Sequence, residues 1–233
     1  MGGAAPAAPP VFPMAYVAPD HIAYGLSQGA TAFLDVRQDR YFRVRPDLDA
    51  VFQSALAGES DLARQPLADL LRLGLLVTSA APTPRPAPTA PTESLLDADA
   101  VAARATLGEV IGAGVAFMRA RRLRRTQVFE ALVGRLRARK DRDATLVPGS
   151  SLEELQRLVG AFLAARRLAP WSPVCLLDSL ALLEFLAPRG YLPDLVFGVS
   201  LAPFSAHCWV QTGALVLNDH LDHVSGHTPL LVI

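Results

Sequence analysis

The sequence predicts an α+β protein built from two modules. Three features carry that prediction: a proline-rich break from Ala80 to Thr92, a compact strand-then-helix pattern before it, and a series of helical patterns ending in three strand-like segments after it. Helices followed by a run of antiparallel strands make an α+β domain, whereas regular alternation would make a parallel sheet. The chain has 233 residues, enough for two small domains, and 51% of them are hydrophobic, enough for a sizeable core. The formal net charge is zero, which argues against a nucleic-acid partner.

The break, Ala80-Ala81-Pro82-Thr83-Pro84-Arg85-Pro86-Ala87-Pro88, alternates proline with other residues. Proline blocks helix and removes amide donors, so the segment reads as an extended, semi-rigid linker. Boundaries are therefore placed at 1–79 and 94–233, with 80–93 as linker. Met1–Pro10 is rich in Gly, Ala and Pro, with no basic start and no apolar centre, so it does not read as a secretory signal. The longest apolar stretch, Leu107–Met118, contains Glu109 and is too short to span a bilayer. The expectation is a soluble cytoplasmic protein without a membrane partner, whose two cysteines stay reduced.

In the first module, His21–Leu26 and Thr31–Asp35 are strand patterns around the turn residues Ser27-Gln28-Gly29, and Tyr41–Val44 is a third strand. Pro46 and Asp47 suit a helix start, with Leu48, Val51, Phe52 and Leu56 at helical spacing. Asp61–Leu73 holds one or two more helical stretches stopped by Gly74, and Leu75–Val77 is a last short strand. Small strands and helices in this order predict a winged-helix domain.

In the second module, Leu95–Arg125 reads as one or two helices, with a break near Gly112 and Gly114, and Gln127–Arg139 as another. The basic run Arg119, Arg121, Arg122, Arg124, Arg125, Arg135, Arg137, Arg139, Lys140 and Arg142 reads as a solvated helix face, with docking of an acidic partner as the sharper alternative. Ser151 caps the next helix, with Glu153 and Glu154 in its first turn and Leu155, Leu158, Val159 and Phe162 on its apolar face. Strand patterns follow at Leu195–Ser200, Ser205–Gln211 and Ala214–Asn218.

The chemistry lies in this module. Trp171-Ser172-Pro173-Val174-Cys175 opens an apolar helical run, with Ser172 expected as N-cap and Pro173 at the first helical position. Cys175 then sits in the first turn, where free amides and the helix dipole favour a thiolate. His207 lies on a strand with Trp209 and Gln211 on its face, and Asp219 follows on the next segment. Thiolate, base and base-orienting carboxylate in this order point to a Cys–His–Asp nucleophilic site of the papain-like or transglutaminase-like kind. A three-residue loop, Gln211-Thr212-Gly213, would pair His207 with Leu217 and bring Asp219 diagonally onto the same face; this register is preferred. A two-residue turn at Thr212-Gly213 would pair His207 with Asn218 and send Asp219 to the other face. Cys208, on the face opposite His207, reads as packing. His220, His223 and His227, with Asp222, have a spacing that suggests a metal, but no clear helix holds them. They read as surface histidines, and no metal is assigned.

The helix from Cys175 to Arg189-Gly190, the strand Leu195-Val196-Phe197-Gly198-Val199, and the pieces Ala206-His207-Cys208-Trp209-Val210 and Val216-Leu217-Asn218-Asp219 together resemble the B proteins of lasso-peptide biosynthesis, the microcin-processing leader peptidases. Cys208 stands where that family usually has a small residue. The first module, chiefly Leu34-Asp35-Val36-Arg37-Gln38-Asp39-Arg40-Tyr41-Phe42, resembles the leader-recognition winged helix of the same pathways, which is similar to the peptide chaperone of pyrroloquinoline-quinone biosynthesis.

The resemblance implies a fused protein: a leader-binding domain and a transglutaminase-like cysteine peptidase that cleaves a ribosomally made precursor before macrocyclisation. It implies Cys175, His207 and Asp219 as catalytic residues, with the Cys175 amide as first oxyanion donor. It also implies Tyr41, Phe42, Arg43 and Val44 as the edge to which the leader adds as a strand, against Gln65–Leu73. The implied partners are the precursor leader and an asparagine-synthetase-like cyclase. No cofactor is expected in this chain, and any need for ATP would come through the cyclase. Two other readings stay open: a non-catalytic leader-binding adaptor, and a transglutaminase-like acyl transferase.

Overall fold

The computed structural model describes residues 15–80, 89–97, 104–143, 151–169 and 172–233. Met1–Pro10, residues 81–88 of the expected linker, residues 98–103 of the helical stretch expected from Leu95, and Trp171 lie outside the described residues. The chain forms two compact units, Met1–Ile22 with Val44–Pro86, and Ala23–Arg43 with Ala87–Ile233.

In the first unit, strand β1 (Ala15–Val17) pairs antiparallel with a strand at Val77–Ser79. Helix α1 (Pro46–Leu56) begins on its proline and carries Asp47 and Asp49 in its first turn, where the helix dipole favours carboxylates. Helix α2 (Arg64–Arg72) is a single helix, ended by Gly74 at φ 67°. Leu48, Val51, Phe52, Ala55, Leu70, Leu75 and Leu76 are buried.

The second unit opens with a meander of β2 (Ile22–Ser27), β3 (Ala30–Asp35) and β4 (Arg40–Phe42), paired in that order. Gln28 at φ 50° and Gly29 at φ 80° make the tight turn expected of the first hairpin. These strands lie close to where the sequence places them, but in a different grouping. Ala23, Ala32, Leu34 and Val36 belong to the same buried core as the C-terminal helices and strands. The strands and helices expected to form a winged helix are therefore divided between the two units, and that domain is not shown.

The remaining strands are β5 (Val77–Ser79, above), β6 (Glu93–Ser94), β7 (Asp194–Leu201), β8 (Phe204–Thr212), β9 (Leu215–Val216) and β10 (Thr228–Val232); the last five form a sheet ordered β10-β7-β8-β9-β6. The helices are α3 (Leu107–Thr126), α4 (Phe129–Asp143), α5 (Leu152–Arg167), α6 (Cys175–Leu186) and the short α7 (Leu221–Ser225). The break expected near Gly112 and Gly114 does not occur. A capping box between Thr106 and Glu109 starts α3, and it runs unbroken past both glycines. Ser151 caps α5 as expected, accepting from the Glu154 amide at 3.0 Å.

Helix α6 is the centre of this unit. Every residue from Ser179 to Leu186 is buried, so its apolar character runs around the whole helix. Small buried residues of α3, Ala113, Ala116 and Ala120, sit in the core it shares with α6; the ring of Phe162 stacks on Phe117 at 5.5 Å and meets Phe185 at a tilt at 5.4 Å between centroids. The sheet contributes Leu195, Phe197, Val199, Cys208, Val210 and Leu217 to this core. Its other face carries a smaller cluster of Val196, Trp209, Val216 and Val224.

Strand β8 pairs with β7 from Asp194↔Gln211 to Leu201↔Phe204, which puts Gly198 opposite His207. With β9 it pairs Gln211↔Val216 and Thr212↔Leu215, so the loop residues are Gly213 and Ala214. Neither expected register is found. Gly213, at φ 55°, takes the first loop position, which a type II′ hairpin turn favours for glycine. Pairing of β8 with β9 then stops after Val216.

Gly198 makes room for Trp209. A Cβ at this position would meet two indole carbons at 2.9 Å and the Thr228 carbonyl oxygen at 3.1 Å. Gly198→Ala is expected to destabilise the protein by about 1–3 kcal/mol through overpacking, read as a lower urea midpoint. An unchanged midpoint would mean that Trp209 yields without cost.

Candidate active site

Helix α6 starts at Cys175 itself, with Val174 as N-cap in an extended conformation (φ −135°, ψ 113°). The expected cap by Ser172 is therefore replaced. The Asp178 carboxylate accepts from the Val174 amide at 2.9 Å and receives the Arg166 guanidinium at 2.7 Å. A carboxylate in the first turn satisfies an orphan amide and favours the dipole, so it supplies what Ser172 was expected to supply. Cys175 stands at the first helical position and is exposed, while Cys208 is buried.

Asp219 reaches His207 from a loop rather than from a strand. Past Val216, the Leu217 amide still donates to the Val210 carbonyl at 2.8 Å. The next rung is supplied by a side chain: Asn218 Oδ1 accepts from the Val210 amide at 2.7 Å, and its Nδ2 donates to Ser179 Oγ at 2.9 Å. Ser179 lies one turn beyond Cys175, so Asn218 ties α6, β8 and the Asp219 loop together. Asp219 then bonds His207 Nε2 through Oδ2 and accepts the His220 amide on Oδ1 at 2.8 Å. The Ser94 hydroxyl donates to its carbonyl. Asp97 holds the following turn, accepting from the Leu221 amide at 2.9 Å and bonding His220 Nδ1.

The structure thus brings Cys175, His207 and Asp219 together. With Nε2 engaged by Asp219, Nδ1 of His207 is left for Cys175, whose thiolate helps to raise the His207 pKa. Of the expected tail cluster, only His223 and His227 gather here. His223 Nδ1 lies 2.9 Å from Asp219 Oδ2, and the His207–His223 and His207–His227 ring centroids are 4.4 and 5.3 Å apart. His220 instead pairs with Asp97. The segment expected to lack a helix holds α7 and is followed by β10.

Ser94, Asp97 and Ser179 are site residues that the sequence does not point to, while Asn218 and His223, visible there as a motif residue and as a surface histidine, gain supporting roles here. Of the first three, Ser179 has a signal in the sequence, as a small polar residue inside a mostly apolar helix. Cys208 was read as packing. It joins the core, and it also lowers the Cys175 pKa. Of the residues expected to bind a leader, Tyr41 packs on the core of this unit, with its ring 6.3 Å from that of Phe204. Burial first, then the charges of Cys208, Asp39 and Cys175, hold its phenol protonated well above the ordinary range. Phe42 stacks on Phe33 at 5.1 Å, and β4 lies at the edge of its three-stranded sheet.

Residues 113–232, just over half of the chain, match the family model of the transglutaminase-like superfamily. The chain belongs to the transglutaminase-like superfamily. That superfamily includes cysteine proteases and acyltransferases. The matched stretch runs from the middle of α3 into β10 and contains Cys175, His207 and Asp219. No curated protein and no solved structure matches the chain.

Electrostatics at this transglutaminase-like site favour a charged pair. The Cys208 thiol, then His207, hydrogen-bond the Cys175 sulfur and outweigh its burial, so its pKa falls to about 4. Burial alone would lower the His207 pKa, but Asp219 and the Cys175 thiolate outweigh it and raise it to about 9. Burial likewise opposes ionisation of Asp219, yet His207, the His220 amide and His223 bring it down to about 2. Cys208, buried beside a thiolate, is held protonated.

Between about pH 4 and about 9 the pair is therefore thiolate and imidazolium. Alkylation of Cys175 by iodoacetamide in EDTA should follow a titration near 4 instead of the ordinary thiol range. Cys208→Ala should move that midpoint upward, and Cys208→Ser, which still donates, should move it less. A midpoint unchanged in Cys208→Ala would show that His207 alone sets it.

Proposed function

We propose that this chain is a cysteine peptidase that removes the leader from a ribosomally made lasso-peptide precursor. The observation that carries the reading is the line Asp219–His207–Cys175, formed at the start of a buried helix inside a transglutaminase-like domain. The resemblance of the C-terminal residues to leader peptidases supplies the substrate class.

The Cys175 thiolate attacks the carbonyl at the leader–core junction. The Cys175 amide, free at the first position of α6, receives the developing oxyanion. His207 Nδ1 gives its proton to the departing amine as the C–N bond breaks, leaving a thioester and a neutral imidazole. His207 then takes a proton from water, the hydroxide attacks the thioester, and Cys175 leaves as thiolate. Asp219 keeps the ring oriented and stabilises its charged form.

Leader binding is assigned to β4 and the residue pair beyond it, Tyr41, Phe42, Arg43 and Val44. An edge strand offers unpaired backbone groups to an added strand. An asparagine-synthetase-like cyclase using ATP is the proposed consumer of the freed core amine. The proposed location, that of the pathway the C-terminal residues resemble, is the cytoplasm; among the described residues no helix is long and apolar enough to cross a membrane. Acyl transfer to an amine would use the same thioester, so the products decide between the two reactions.

Cys175→Ala is expected to abolish leader removal, a loss of more than about a thousandfold, while leader affinity by fluorescence polarisation stays within about twofold of the parent, since the sulfur is not part of the β4 edge. His207→Ala should match it, and Asp219→Ala should cost less. Mass spectrometry of the incubated precursor reads the outcome. A cross-linked product would establish acyl transfer, and an unchanged precursor bound by the parent chain would establish an adaptor.

A further inference from the structure

We propose that His207, Asp219 and His223 form a divalent transition-metal site, of the kind zinc occupies, and that metal bound there switches the Cys175–His207 pair off. The metal site stands on the geometry alone; the switching rests on the peptidase reading. His207 and His223 each offer a ring nitrogen and Asp219 a carboxylate oxygen, and these ligand atoms lie within 4.8 Å of one another. Both imidazoles address the same oxygen: His207 through Nε2, and His223 through Nδ1 at 2.9 Å. A base needs one orienting carboxylate, and a second imidazole on that carboxylate is surplus to the relay. Without their protons, the two nitrogens and the carboxylate lie close enough for one ion to take all three as ligands once the carboxylate oxygen gives way to it. Two imidazoles and a carboxylate are a ligand set suited to Zn²⁺, with a fourth position left for water.

The ligands are held in place beforehand. The His207 ring lies 6.0 Å from that of buried Trp209. The Asp219 main chain is fastened by Ser94. His223 stands on α7, whose first amide is capped by Asp97, and its carbonyl is met by His227 Nδ1 at 2.9 Å. His227 Nε2 is occupied by Ser205 Oγ at 2.9 Å, so His227 braces the site without ligating. His220 and Asp222, which the sequence spacing placed with the other histidines, take no part. Nor does Cys175, whose sulfur is not among the ligand atoms that gather here.

Metal on Nε2 excludes the proton that makes His207 an imidazolium. With only Nδ1 protonated, the ring could protonate a leaving amine only by becoming an imidazolate. Asp219 is drawn to the metal at the same time. The expected effect is reversible inhibition by one ion per chain.

The test uses the full chain, stripped with EDTA and desalted, as Cys175→Ala and as parent. Calorimetric titration with Zn²⁺ should give one ion per chain in both. Co²⁺ should give visible d–d bands without a thiolate charge-transfer band. Asp219→Asn and His223→Gln should each weaken binding at least tenfold, and His220→Ala should not. His223 is largely exposed, and glutamine keeps a donor toward Asp219, so this variant is expected to fold; circular dichroism checks it. Binding that survives His223→Gln undiminished, or disappears in Cys175→Ala, overturns the site. In the parent, Zn²⁺ should inhibit leader removal, and His223→Gln should need at least tenfold more Zn²⁺ for the same inhibition. Binding without inhibition overturns the switch, whereas a precursor left uncut by the metal-free parent overturns the peptidase reading and leaves the metal result standing.

Discussion

The site depends on where β9 leaves β8. Had the ladder continued past Val216, the Val210 amide would have been taken by a strand carbonyl. Instead Asn218 supplies one side-chain rung to Val210, bonds Ser179 on α6 with its other end, and sends the chain away from the sheet. Asp219 then turns back onto His207, and Cys208 and His207 together lower the Cys175 pKa. A polar side chain that satisfies both a strand amide and a helix hydroxyl gives the edge a single geometry, because leaving either group unpaired in this half-buried place is costly.

The helix end is set by a comparable device. Asp178 serves the Val174 amide and the Arg166 guanidinium together, so the first turn of α6 is pinned to α5 while the rest of the helix is held by burial on all sides. The nucleophile thus rides on the most buried helix of the unit, yet at its one exposed end. Rigid support and an open sulfur follow from the same placement.

Much of this was legible in the sequence. Cys175 stood at a helix start because turn residues preceded an apolar run. His207 stood on a strand with Trp209 because the alternation was clean. The register of the last hairpin was not legible, because a Thr-Gly-Ala turn admits several loop lengths and β9 is too short for alternation to choose among them. Asp219 still found His207, by a loop route that strand pairing did not anticipate. The alternation puts Cys208 in the core, where it is found, but alternation says what a residue packs against and not that its thiol also favours a neighbouring thiolate. The grouping of β2–β4 with the C-terminal unit was hidden for a related reason. Local pattern shows that Ala32 and Leu34 need a core, but not which core, and nothing in the pattern revealed that they share one with Leu195 and Leu217.

The charges on Cys175, His207 and Asp219 form a line in which each stabilises its neighbour. Asp219 sustains the imidazolium, and the imidazolium, with Cys208, sustains the thiolate. The central claim is that this pair is charged in the resting protein at neutral pH. The direct measurement is the ring ¹⁵N spectrum of His207 in histidine-labelled, EDTA-treated protein, assigned with His207→Gln. At pH 7 the account predicts two protonated ring nitrogens, with one losing its proton only toward about pH 9. A neutral ring at pH 7, with one nitrogen unprotonated, would contradict it.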